Sequence, residues 1–173
     1  MLPVLLLSSG LFPATTHALA ITSLPLNALH VHIDFEKKHT AFFKEKELYL
    51  LRNVSKKGIG FFEAGNFYPD FILWLLVGDK QYVSFVDPKG LRQLDDGSSN
   101  PKVQFYKTIK EIETRLGDPT VVLNSFIVSP TPFQQIPMWG EGMTKEELHK
   151  CHVLFQRDDK ATYIETLLNT ILR

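Results

Sequence analysis

A chain of 173 residues, with 19 Lys and Arg against 19 Asp and Glu, has room for one full core and falls short of two. The balanced charge excludes a uniformly basic coat, so any affinity for nucleic acid has to come from local clusters of cations. The single cysteine, Cys151, excludes an internal disulfide and fits a reducing cytoplasm.

Met1 to Ala20 contains the apolar run LPVLLLSSGLF and ends Ala18-Leu19-Ala20, which imitates a secretory leader and its small-residue cleavage site. It has no positive n-region, and two prolines and a histidine interrupt it. The segment therefore reads as the opening of a piece of a larger, cytoplasmic protein. No apolar run reaches the roughly 18 residues that a membrane span needs, so no membrane association is expected. Three prolines divide residues 1–29 into short extended pieces, with one strand expected at Val4 to Leu7. His30 to Lys46 alternates charge with Val31, Phe35, Phe42 and Phe43, a pattern that predicts an amphipathic helix.

Glu47 to Asn53 predicts a short strand and Gly60 to Ala64 a second one. Between them, Arg52, Lys56 and Lys57 make a basic turn placed to meet a nucleic-acid backbone or simply exposed to solvent. The next stretch organises the chain. Phe67 to Val77 is an almost wholly apolar, β-prone run, Gly78-Asp79 is a two-residue turn, and Gln81 to Asp87 returns rich in Val, Phe and Tyr. If Val77 faces Lys80 across that turn, counting back places Asp70 opposite Asp87. A turn at Asp79-Lys80 would instead oppose Asp70 to Lys89. In either register the three residues share one face, because strand side chains alternate with a period of two.

Like charges directly opposed in a sheet repel, with Cβ atoms roughly 4.5 to 5.5 Å apart. A divalent cation between the carboxylates would offset the repulsion, and oxygen donors suit Mg²⁺, with Mn²⁺ as a substitute. Lys89 then stands beside the cation, placed to orient an attacking water or to neutralise charge developing on phosphorus. The competing reading makes Asp87-Pro88-Lys89-Gly90 an ordinary turn, which leaves Asp70 buried without a partner.

Beyond Gly90, Asp95 to Pro101 is a loop of turn residues. Lys102 to Leu116 then carries Phe105, Ile109, Ile112 and Leu116 at helical spacing, with Lys102, Lys107, Lys110 and Arg115 expected outside and Gly117 as terminator. Val121 to Val128 predicts a buried strand, so that strand, helix, strand forms a crossover connection. Residues 129–143 form a Pro- and Gly-rich loop anchored by Trp139. Thr144 to Glu147 predicts a capping box, Val153 to Phe155 an edge strand, and Asp158 the cap of a last helix with Ile164, Leu167, Leu168 and Ile171 on its inner side. His30-x-His32 and His149-x-Cys151-His152 hold enough ligands for zinc only if the fold joins them, and surface or capping roles are expected for these histidines.

The pair Pro69-Asp70 followed by Asp87-Pro88-Lys89 resembles the signature of the PD-(D/E)xK nuclease superfamily. The string Glu47-Leu48-Tyr49-Leu50-Leu51-Arg52-Asn53, with Gly60 to Asn66 leading into the hairpin, is similar to the nuclease domain at the C-terminus of type III restriction subunits and of related DEAD/DEAH-type helicases. The likeness extends over residues 45 to 130. It implies an α/β fold, a mixed central sheet flanked by helices with a restriction-endonuclease-like core, and Mg²⁺-dependent cleavage of DNA.

On that reading Asp70, Asp87 and the Pro88 carbonyl hold the metal, Lys89 assists the attack, and Arg92 binds the adjacent phosphate. The third acid departs from the pattern, since Leu26-Asn27-Ala28-Leu29 leads to His30. Glu63, nearest to Asp70, is the favoured substitute over Asp34 and Glu36. Residues 1–173 are read as one nuclease-like domain, with a peripheral segment 1–29, a core 30–128 and a C-terminal part 129–173. No G-x-x-x-x-G-K-[ST] occurs, so a helicase or ATPase motor is expected upstream or on another chain. The alternative is a catalytically weakened domain of the same fold that binds DNA or docks on a helicase subunit.

Overall fold

The computed structural model describes residues 40–54, 57–62, 65–93, 97–136, 143–160 and 162–173. Its first element is a short helix, α1 (Thr40–Phe43). The helix expected over His30 to Lys46 is therefore confirmed only for these four residues; 30–39 lie outside the described residues, as do the segment 1–29 and the strand expected at Val4 to Leu7. Lys46 Nζ donates to the Phe42 carbonyl at 2.8 Å, and Glu45 takes a left-handed φ of 63°, so the chain leaves the helix there. β1 (Lys46–Arg52) begins at once.

β2 (Phe71–Val77) and β3 (Lys80–Pro88) form the hairpin. Val77 pairs with Lys80 and Phe71 with Val86, which is the register expected for a turn at Gly78-Asp79. Gly78 sits at φ 60°, a conformation that costs glycine nothing and other residues something. Gly60 to Ala64 does not form the second strand expected of it. Phe61 makes an isolated bridge to Phe67, and residues 63 and 64 lie outside the described set.

Two 3₁₀ turns, Leu91–Gln93 and Gly97–Ser99, lead to α2 (Pro101–Leu116). Asn100 caps its start by accepting from the Lys102 N–H, Pro101 occupies the first turn, and Gly117 closes the helix in the left-handed conformation. β4 (Val121–Ser129) then runs parallel to β3, completing the crossover. The capping box opens α3 (Lys145–Lys150), β5 (Val153–Phe155) pairs parallel with β4 at the sheet edge, and α4 (Tyr163–Ile171) follows. Asp158 does not cap α4. Thr162 holds that position, and Asp158 instead accepts from the Phe133 N–H at 2.7 Å.

The result is an α/β protein whose mixed five-stranded sheet, in the order β1-β2-β3-β4-β5, has helices on both faces. Leu73, Leu75, Val86, Phe126 and Val128 pack against Leu167, Leu168 and Ile171 of α4. On the opposite face Ile72, Phe85 and Leu123 meet Phe105 and Ile109 of α2, and Ile127 joins Leu148 below α3. Each such side chain buried fully contributes roughly 1.5 to 3 kcal/mol before the entropy of ordering it is subtracted. Leu116, expected in the inner stripe of α2, is 51% exposed, while Val103, which the spacing overlooked, is buried. Among the described residues no helix is long and apolar enough to cross a membrane.

Candidate active site

The paired part of the hairpin ends at Phe71 and Val86, so the next step of the same ladder sets Asp70 against Asp87. Asp70 follows the parity of Ile72, and Asp87 that of Phe85, which places both carboxylates on the α2 face. Lys89 has the same parity, and its backbone N–H donates to the Val128 carbonyl at 3.1 Å, which continues the parallel ladder one step beyond β3.

The local electrostatics show how closely these groups are gathered. Asp87 is buried, and its pKa is pushed from 3.8 to about 6, first by that burial and then by the charge of Asp70. Lys89 and Lys102 pull it the other way, and the Asp70 backbone N–H donates to its carboxylate. Lys102, from the first turn of α2, was expected outside on the helix. It leans inward instead, with its Nζ 5.8 Å from the centroid of the buried Phe67 ring. Its pKa is lowered by burial and then by Lys89, whose amine lies within hydrogen-bonding reach, while Asp87 acts to raise it. The site thus holds two carboxylates and two amines, but of the two acids only Asp87 is buried; Asp70, expected to be buried, is exposed.

Lys102 is invisible to a reading of the hairpin because it is brought in by the helix that follows. Asn53 was overlooked for a similar reason. Its Nδ2 donates to the Pro69 carbonyl at 2.8 Å and to the Ile59 carbonyl at 2.7 Å, its Oδ1 accepts from the Ile59 N–H, and its backbone N–H donates to the Asp70 carbonyl. Asn53 therefore ties the segment ahead of Asp70 to the end of β1. Gly58 makes room for this clamp, since a Cβ there would lie 2.0 Å from Asn53 Oδ1.

The other residues expected at the site are dispersed or undescribed. Arg52 pairs with Phe71, whose side chain joins the α4 face, so Arg52 projects away from Asp70. The Arg92 guanidinium donates to Gln135 Oε1 in the 3₁₀ turn Phe133–Gln135. Lys57 is exposed in a tight turn, its N–H bonded to the Val54 carbonyl. Pro88 is the exposed last residue of β3. Lys56 and Glu63 lie outside the described residues, as does Trp139.

The hard, all-oxygen donors of Asp70 and Asp87 fit Mg²⁺ or Mn²⁺, and a +2 charge between them would offset the repulsion that, after burial, raises the Asp87 pKa. Among the described residues no group of three His, Cys, Asp or Glu is placed to hold a metal. His149 and His152 do not form a zinc pair. His149 Nε2 lies 3.3 Å from Asp159 Oδ2, and the His152 ring stacks on Phe126 with its Nδ1 3.0 Å from the Ser125 carbonyl. His152 is thus a packed histidine, contrary to the surface or capping role expected, while His30 and His32 lie outside the described residues.

Comparison with protein-family models, with curated proteins and with solved structures finds no match to this chain.

Proposed function

We propose that the chain is a metal-dependent nuclease domain of the PD-(D/E)xK type that hydrolyses DNA phosphodiesters. The observation that carries this reading is the convergence of Asp70, Asp87, Lys89 and Lys102 at the open end of one hairpin, with the pKa of Asp87 raised to about 6 by burial and then by the charge of Asp70. A purely structural site gains nothing from that repulsion. The fold is consistent with a restriction-endonuclease-like core, in which the hairpin bears the acids and a helix crossover adds the parallel strand.

Asp70 and Asp87, with the Pro88 carbonyl, would hold Mg²⁺ or Mn²⁺. Bound there, the cation supplies Lewis-acid polarisation of the scissile phosphate. The remaining work falls to side chains of this chain. Lys89 and Lys102 attract the substrate phosphate and neutralise the charge that grows on its oxygens as the bond breaks. Asn53 keeps Asp70 in register with Asp87. A helicase or ATPase motor would lie upstream or on another chain, and the target sequence would be chosen outside this domain.

The lack of a third acid beside the pair among the described residues favours a second reading, a catalytically weakened domain that binds DNA or docks on a helicase subunit. Cleavage of single- and double-stranded DNA, assayed with Mg²⁺ or Mn²⁺ and repeated with Asp70→Ala and Lys89→Ala, separates the two. Cutting that both variants abolish supports the nuclease. Calorimetric Mg²⁺ binding that Asp70→Asn removes, without any cutting, supports the weakened domain, and variants that cut like the parent refute the site.

A further inference from the structure

β5 is only three residues long and pairs with Ile127 to Ser129, so among the described residues no strand lies beyond the first six residues of β4. On the two sides of that edge stand Lys110 of α2 and Thr166 of α4, and the space between them is a cavity of about 550 Å³. This volume is within the range of small-ligand sites. The lining includes Lys110, Lys150, Arg173, His152 and Asn124, with no carboxylate among the described lining residues.

A further β-strand is a poor occupant. The Leu123 N–H already donates to Glu113 Oε2 at 2.5 Å, and the Ser125 carbonyl lies 3.0 Å from His152 Nδ1, so side chains occupy the edge groups that an added strand would use. The charge balance points to an anion. Glu113 pairs with Lys110, Glu147 lies within reach of Lys150 and Asp159 Oδ2 lies 3.3 Å from the lining His149, while the described lining side chains themselves are all cationic or neutral. Lys110 is close enough to His152 to add to the effect of burial in holding that ring below its ordinary pKa.

An unused donor sits in the same wall. Asn124 is 3% exposed and its Nδ2 has no hydrogen-bond partner among the described residues; beside it in the parallel register, the buried Ser84 Oγ likewise has none among them. An amide left unpaired in the interior costs about 1 to 3 kcal/mol. The terminal torsion of asparagine is broad, so the amide is able to turn toward a ligand seated in the cavity.

We propose that this cavity binds a phosphate-bearing ligand of mononucleotide size, held by Lys150, Arg173 and the Asn124 amide. Ammonium, guanidinium and amide groups offer donors to a multiply charged oxyanion from three directions. The phosphate belongs to a free nucleotide or to the terminus of a nucleic-acid strand. The cavity is separate from the carboxylate site, since Lys110 lies two turns of α2 beyond Lys102.

The test is an NMR titration of the full chain in EDTA, following the Asn124 side-chain amide and the His152 ring. The probes are inorganic phosphate, a nucleoside 5′-monophosphate, and an oligonucleotide with and without a 5′-phosphate. Saturable shifts at millimolar concentration or below are expected. Lys150→Ala/Arg173→Ala, which changes two exposed residues, should weaken binding at least tenfold. Lys89→Ala/Lys102→Ala should leave these shifts unchanged, so that failure of the nuclease reading and failure of this one are told apart. Tighter binding of the mononucleotide supports a free-nucleotide site, and tighter binding of the phosphorylated oligonucleotide supports a strand-end site. Signals unmoved by phosphate and nucleotide, or a Lys150→Ala/Arg173→Ala variant that binds like the parent, overturn the proposal.

Discussion

The two ends of the central hairpin obey the same pairing rule and differ in every other respect. At the turn end, Gly78 and Asp79 are exposed and Val77 meets Lys80 without conflict. At the open end, the same ladder drives Asp70 against Asp87, and burial holds the latter's pKa up at about 6. One end only closes the chain. The other carries an electrostatic cost, offset in part by Lys89 and by Lys102 from a different element. The difference teaches that the pairing register is compatible with a relaxed turn and that the like-charge conflict falls at the open end, where the proposed cation and phosphate would bind.

The sharpest way to break the comparison is to remove a carboxylate. Asp70→Ala and Asp87→Ala are each expected to lower the rate of Mg²⁺-dependent DNA cleavage by roughly a thousandfold, about 4 kcal/mol, measured with folded protein verified by circular dichroism.

Next in size is a gain of stability. An acid whose folded pKa stands above its unfolded one favours the native state at low pH and loses that contribution as pH rises through the folded value. Metal-free stability of the parent should therefore fall between about pH 4 and pH 6 by up to about 3 kcal/mol. Asp87→Asn should lack this fall and melt at a higher temperature at pH 7. Added Mg²⁺ should raise the melting temperature of the parent and leave Asp87→Asn unmoved.

Lys102→Ala tests the contribution of the helix. It should slow cleavage roughly ten- to a hundredfold, and it should raise the pKa of Asp87 further, because it removes one of the charges that pull it down. A carboxyl resonance titrated by NMR reads the second effect, and an unchanged Asp87 would separate Lys102 from the site. The smallest effect belongs to the turn end. Gly78→Ala introduces a Cβ with no atom within 4 Å, so its cost is the left-handed φ alone, about 1 kcal/mol in denaturant unfolding, with cleavage unaltered.

The hairpin was legible because a period of two and a two-residue turn leave little freedom. Once Val77 faces Lys80, the face shared by Asp70, Asp87 and Lys89 is arithmetic. The α2 crossover was legible for similar reasons, through Pro101, the helical spacing and Gly117. The basic residues were not. Arg52 has the wrong parity to reach Asp70, and Arg92 is engaged by Gln135, 43 residues further along the chain. The Gly60 to Ala64 segment looked like a strand by composition, yet among its described residues only Phe61 finds a bridging partner, in Phe67.

Local periodicity by itself determined the strand, helix, strand order and, in either register the turn allowed, the common side of the two acids, because these depend on neighbours a few residues apart; the structure selected the register with Val77 opposite Lys80. Tertiary structure alone decided that Lys102 leans over Phe67 toward Asp87, that Asn53 clamps Pro69, and that the short β5 pairs with only the last three residues of β4. Each of these joins residues from different elements through packing, and no short-range pattern encodes where a helix or a loop will come to rest against a sheet.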